Sequence, residues 1–234
     1  MAAPVVETHA LGKTFGLTPV LREVALRVLP GYGAIIVGGN GAGKSTLLAI
    51  LAGLARPTAG YALVFGENSH SLGGRFRRRI GMLSHQSFLY PNLSGRENLE
   101  FYAEIYGVAS PAAVAERWLA EVGLSEFADE RARAYSRGME QRLAAARALI
   151  ADPTLLLLDE PFASLDSDGA ALLARLIAAA LNRGASVIAT AHGVPEIAGA
   201  EMGVYQLTRG KLEPFGEGQQ EEVRRGRLRS LLGR

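Results

Sequence analysis

The spacing of apolar and polar residues changes period several times along this chain. Val24, Leu26 and Val28 alternate with small or polar neighbours, the two-residue period of a half-buried strand. The stretch 34–37 is apolar without a break and runs into glycines, which reads as a short buried strand, and 45–52 continues as a helix. Residues 61–65 and 80–83 read as further strands. Beyond them the pattern turns helical. Ser94 and Glu97 have capping-box spacing ahead of a helix reaching Tyr106. Ser110 and Pro111 supply an N-cap and first-turn pair for a second helix, on which Val114, Trp118 and Val122 fall four apart on one face. A Trp at that spacing reads as core. A helix to Ala151, a strand at 155–159, a helix at 168–183 and a strand at 186–190 complete the alternation. Strands and helices in this order predict an α/β body with a helical insert at about 93–134.

Composition narrows the setting. With 234 residues, 48% of them hydrophobic, the chain can bury one good core with a small subdomain attached. A membrane-spanning helix needs about 20 consecutive apolar residues. Here apolar stretches are broken early, at Asp159 after four leucines and at Arg175 within the Ala/Leu stretch 170–181. The N-terminus lacks the basic and apolar regions of a secretory signal, and there is no cysteine for disulfides or thiolate metal sites, so a cytosolic setting is expected. Net charge is only +2 although the basic residues comprise 22 Arg and 3 Lys. The clusters at Arg75, Arg77, Arg78, Arg79 and at Arg224, Arg225, Arg227, Arg229 read as solvated faces, and no nucleic-acid partner is expected. The second cluster sits in a basic tail at about 217–234 and, mixed with Leu228, Leu231 and Leu232, suits contact with anionic lipid.

The chemistry begins at Gly38-Gly39-Asn40-Gly41-Ala42-Gly43-Lys44-Ser45, which fits G-x-x-x-x-G-K-[ST], with Thr46 next in the same cradle. Glycines let the backbone curl so that several N–H groups face phosphate oxygens, and the next helix adds its positive N-terminus. Lys44 brings a full charge to the β- and γ-phosphates, and the Ser45 hydroxyl is a hard ligand for Mg²⁺. Random order would give the pattern in roughly four of a thousand chains of this composition, and here it also stands between a strand and a helix. A P-loop that binds ATP is the reading. The run 155–158 then ends in Asp159 and Glu160. Alternation along a strand sends these acids to opposite sides, so they can take different tasks: Asp159 on Mg²⁺, and Glu160 as the base that polarises the attacking water.

With these motifs in hand, nearly the whole chain resembles the ABC-transporter ATPases, in the right order. Gln86 in Ser84-His85-Gln86 looks like the family's Q-loop glutamine, which senses Mg²⁺ and meets the permease. The segment 135–142 is similar to the LSGGQ signature and the residues immediately after it. Tyr135 and Arg137 replace the motif's Leu and first Gly, while Ser136 and Gly138 are kept to contact the γ-phosphate. Ser164-Leu165-Asp166 looks like the D-loop, and His192 like the switch histidine. Phe15 lies in the slot of the aromatic that stacks on adenine, with core packing as the rival reading. The resemblance implies an α/β P-loop NTPase with a mixed sheet and a helical signature subdomain. It also implies a pair of such chains, because the signature of one subunit closes over the P-loop of another. Such a subunit sits peripherally on the cytoplasmic face of the membrane and drives an integral membrane permease. The segments 81–86, 97–102, 158–162 and 166–169 resemble the heme-exporter ATPases of cytochrome c maturation. Drug or polysaccharide exporters, and soluble members such as iron–sulfur assembly ATPases, stay open as alternatives.

Overall fold

The computed structural model describes residues 2–163, 165–193 and 202–215; the basic tail and Ser164 lie outside them. In chain order the first elements are β1 (Val6–Phe15), β2 (Thr18–Val24), β3 (Arg27–Val28), β4 (Gly33–Val37), α1 (Lys44–Leu51), β5 (Ala59–Val64) and β6 (Glu67–Asn68). They are followed by α2 (Gly74–Arg77), β7 (Ile80–Leu83), α3 (Gly95–Ile105), α4 (Pro111–Glu121) and α5 (Arg137–Leu149). The last are β8 (Leu155–Asp159), α6 (Ser167–Asn182), β9 (Ser186–Ala191), β10 (Met202–Thr208) and β11 (Lys211–Pro214).

Among the described residues the strands form two sheets. One is antiparallel, in the order β2-β1-β5-β6 with β3 also on β1. The other runs β11-β10-β4-β9-β8-β7, and all its pairings are parallel except that of β11 with β10. Strands β4 and β8 are buried at every residue, which is why they read as unbroken apolar runs. The alternation is still present in what they touch. Leu155 and Leu157 join the core under α1, whereas Leu156 and Leu158 join the core under α5 and α6. No helix among the described residues is long and apolar enough to cross a membrane.

The strand expected across Val24, Leu26 and Val28 is broken. β2 ends at Val24 and β3 starts at Arg27. Thr8 of β1 spans the gap: its hydroxyl donates to Val24 O and accepts from Leu26 N, at 2.9 and 2.8 Å. The three apolar side chains are buried as the pattern asked, but a side chain closes part of the backbone ladder. β5 starts at Ala59 and stops before Phe65, whose φ of 56° turns the chain. Helix α3 has the full capping box, with the Ser94 hydroxyl accepting from Glu97 N and the Glu97 carboxylate accepting from Ser94 N. Ser110 does precede α4, but at φ 53° and without a capping hydrogen bond, so Pro111 alone provides the start. Trp118 and Val122 are buried with Leu99 and Leu143, as their spacing predicted.

Candidate functional site

Parallel strands deliver their carboxyl ends to one edge of the sheet, where such folds place ligands. Val37 of β4 is level with Ala191 of β9, and Thr190 of β9 with Asp159 of β8. Neighbouring strands lie about 4.8 Å apart. The segments beyond these strands therefore start side by side: the glycine-rich loop after β4, Glu160 after β8 and His192 after β9.

The loop from Gly38 to Ser45 wraps toward the start of α1. A side chain at Gly38 would place its Cβ 2.5 Å from Leu207 O, so the backbone approach there excludes any other residue. Gly43, at φ 103°, enters the helix in a conformation that L side chains rarely adopt. Residues 39–46, with Val20, His85 and Glu160, line an open cleft of about 440 Å³. Lys44 is 5% exposed, and its Nζ donates to Gly38 O at 2.7 Å and Gly39 O at 3.1 Å. It also pairs with Glu160 Oε1 at 3.1 Å.

The two acids do not part as strand alternation predicts. β8 ends at Asp159, and Glu160 takes a left-handed φ of 49°, which turns its carboxylate toward Lys44. Both acids line a second cleft of about 190 Å³, together with His85 and the α5 residues Arg137, Glu140, Gln141 and Ala144. Burial disfavours the charged form of Glu160. The hydrogen bond and charge of Lys44, with smaller help from His192 and His85, outweigh burial and hold its pKa below the ordinary value. Asp159 is buried, and its Oδ1 accepts from the Thr190 hydroxyl at 2.7 Å. The same hydroxyl accepts from Glu160 N at 3.0 Å, so one threonine orients both acids. His192 Nε2 lies 3.1 Å from Glu160 Oε2. An ionised carboxylate only accepts, so the imidazole hydrogen is on Nε2 in this contact.

The structure thus brings together the glycine-rich loop, Lys44, Ser45, Thr46, Asp159, Glu160 and His192. Ser45 and Asp159 are hard oxygen donors, the set that suits Mg²⁺ beside phosphate. Other residues singled out by the sequence stand apart. Gln86 is exposed and lines neither cleft; its backbone carbonyl accepts from the Ser84 hydroxyl at 2.9 Å. Phe15 is 54% exposed, with Lys13 Nζ 4.8 Å from its ring centroid, and is not part of the core. Ser136 caps α5 by accepting from Met139 N at 3.3 Å, and a Cβ on Gly138 would meet nothing within 4 Å. Asp166 caps α6 by accepting from Gly169 N at 2.7 Å. Sequence reasoning assigns no role to His85, Thr190 or Gln141, the last of which donates to Pro161 O at 2.6 Å.

Known proteins resemble this chain. The ABC transporter family model matches residues 21–163. The chain is 38% identical over 173 residues to the cytochrome c biogenesis ATP-binding export protein CcmA of Salmonella typhi, across 74% of this chain and 82% of that one. It is 37% identical over 196 residues to the bacitracin transport ATP-binding protein BcrA of Bacillus licheniformis, across 82% of this chain and 63% of the relative. Among solved structures, a dimer of the ATP-binding cassette MJ0796, in a post-hydrolysis state with ADP and Pi, matches with a TM-score of 0.81. It is 28% identical, over 89% of this chain and 98% of that one.

Proposed function

Because the chain belongs to the ABC transporter family, we propose that it is the ATP-hydrolysing subunit of an exporter of the cytochrome c biogenesis type, working as a pair beneath a membrane permease. The convergence of Lys44, Glu160 and His192 at 3.1 Å contacts over the glycine-rich loop carries the hydrolytic part of this reading, and the likeness to CcmA supports its exporter type. Residues 38–46 hold the triphosphate, with the loop N–H groups and Lys44 on the phosphate oxygens. Glu160 accepts the proton of the attacking water, and His192 holds the carboxylate and faces the γ-phosphate. Lys44 passes from the Glu160 carboxylate to phosphate as nucleotide enters. The carboxylate then loses the contact that most depresses its pKa and regains affinity for a proton. Ser45, Asp159 and Gln86 are the side chains that would hold Mg²⁺. When bound, the ion would neutralise the charge that develops on the phosphate oxygens. Ser136, Gly138 and Asp166 serve the nucleotide of the second subunit across the pair, and Phe15 stacks on the base.

Replacing Glu160 with Gln tests the assignment. The amide keeps the shape and cannot take the proton, so hydrolysis should fall by about 10²–10⁴-fold while ATP still binds. Turnover near the wild-type rate in Glu160→Gln would end this reading. The likeness to a bacitracin transporter supports a second cargo class. With the permease reconstituted in vesicles, heme-stimulated hydrolysis favours the first class and bacitracin-stimulated hydrolysis the second.

A further inference from the structure

We propose that Gln141 is a positioning residue for Glu160, a role that rests on the reading of Glu160 as the base. Residues 137, 140, 141 and 144 recur at helical spacing, and together they present one stripe of α5 to the cleft that holds Asp159 and Glu160. Within that stripe Gln141 reaches across to Pro161, and its Nε2 donates to the Pro161 carbonyl at 2.6 Å. A carbonyl oxygen can only accept, so the amide orientation is fixed by its partner.

Pro161 is buried and immediately follows Glu160. Its ring locks its own φ, so the position of its carbonyl is passed back along a stiff link to the residue before it. That residue needs holding. Glu160 is a non-glycine residue at φ 49°, a conformation that persists only where the surroundings impose it. On its C-terminal side its own carbonyl accepts from Ala163 N at 3.0 Å within the turn, so the two side-chain grips on this backbone are the Thr190 hydroxyl, which takes the Glu160 N–H at 3.0 Å, and Gln141 on the next carbonyl. The two grips come from different bodies, one from the sheet and one from α5. The same helix holds the opposite wall of the cleft six residues further on, where Arg147 Nη2 donates to Ser87 O at 3.0 Å. Helix α5 also begins at Ser136 and Gly138, which in the paired arrangement serve the other subunit's nucleotide. One hydrogen bond therefore ties the base of one site to the turn that attends the other.

Gln141→Met keeps the length of the side chain and removes the donor, and Gln141→Lys returns a donor to the same place. Displacement of a reacting group by about 1 Å can cost up to about 10²-fold in rate. Gln141→Met should lose about 10–100-fold in kcat per folded molecule with the ATP KM within about threefold, and Gln141→Lys should recover part of that loss. A wild-type kcat in Gln141→Met, or a lowered Tm with normal turnover per folded molecule, would show a bond that serves folding only and overturn the inference. Equal losses in the Met and Lys variants would do the same, because the donor would then not be what matters. Glu160→Gln measured alongside separates the two readings. If it still turns over, the base assignment falls and this role with it; if it is dead while Gln141→Met is normal, only the role of Gln141 is lost.

Discussion

Lys44 directs its ammonium group at three oxygens of its own chain, those of Gly38, Gly39 and Glu160. Its removal takes a charge-assisted contact of about 1.5–3 kcal/mol from bound phosphate, so Lys44→Ala should weaken ATP binding about 10–150-fold in titration calorimetry. Without Lys44, Glu160 also loses the neighbour that lowers its pKa. A carboxyl whose folded pKa lies below its unfolded one stabilises the fold above the ordinary value near 4.5, and that stability disappears as pH falls through the lowered folded value. The stability difference between wild type and Lys44→Ala should therefore be larger at pH 7 than in acid below the lowered folded value, measured as Tm across a pH series. A gap that grew on acidification would contradict this. Lys44, Asp159 and Glu160 were legible because each sits in a local motif. Thr190, His85 and Gln141 were not. Thr190 gains its role only when β9 lies in register with β8, and Gln141 only when α5 packs beside the loop after β8.

At the scale of elements, the starts of helices were better marked than the limits of strands. The Ser94–Glu97 box is a contact between residues three apart, so the sequence contains both partners. Ser94→Ala should cost about 1 kcal/mol and lower Tm by roughly 2–4 °C in calorimetry, with normal hydrolysis per folded molecule. Asn98, one turn on, is fully buried; its side chain accepts from Tyr90 N at 2.7 Å and donates to Tyr90 O, Leu93 O and Ser94 O at 3.0, 3.3 and 2.8 Å. Asn98→Ala leaves several of those groups without a partner and should cost more than the loss of the cap, about 2–3 kcal/mol. Strands gave a weaker signal where the ladder is irregular. In β1 two register shifts against β2 disturb the alternation, and β10 is mostly half-buried, so neither has a clear two-residue period. The break after Val24 depends on a threonine sixteen residues earlier, which no local pattern reveals.

For the whole molecule, the separation of Ser136 and Gly138 from the cleft at Lys44 matters most. Among the described residues nothing outside its own helix would meet a Cβ on Gly138 within 4 Å, and it sits in the first turn of α5, where a residue with a side chain would fit. The proposed pairing gives the choice of glycine a reason, since the second subunit's nucleotide would approach this bare backbone from outside. Lys44→Ala and Ser136→Arg should each be inactive alone. Mixed, they should regain phosphate release, peaking near equal amounts, because one site of each mixed pair then joins an intact loop to an intact signature. A flat line at background, with subunit exchange verified, would reject shared sites. The sheet order that brings Asp159 level with Thr190, and Val37 level with Ala191, has a different kind of consequence. Side chains along a strand change sides at every residue, so a slip of one position would turn Asp159 away entirely. Errors of register at this site come in whole steps. A heat-damaged preparation should accordingly be a mixture of fully working and silent molecules, and a fading bulk rate would be a census of survivors.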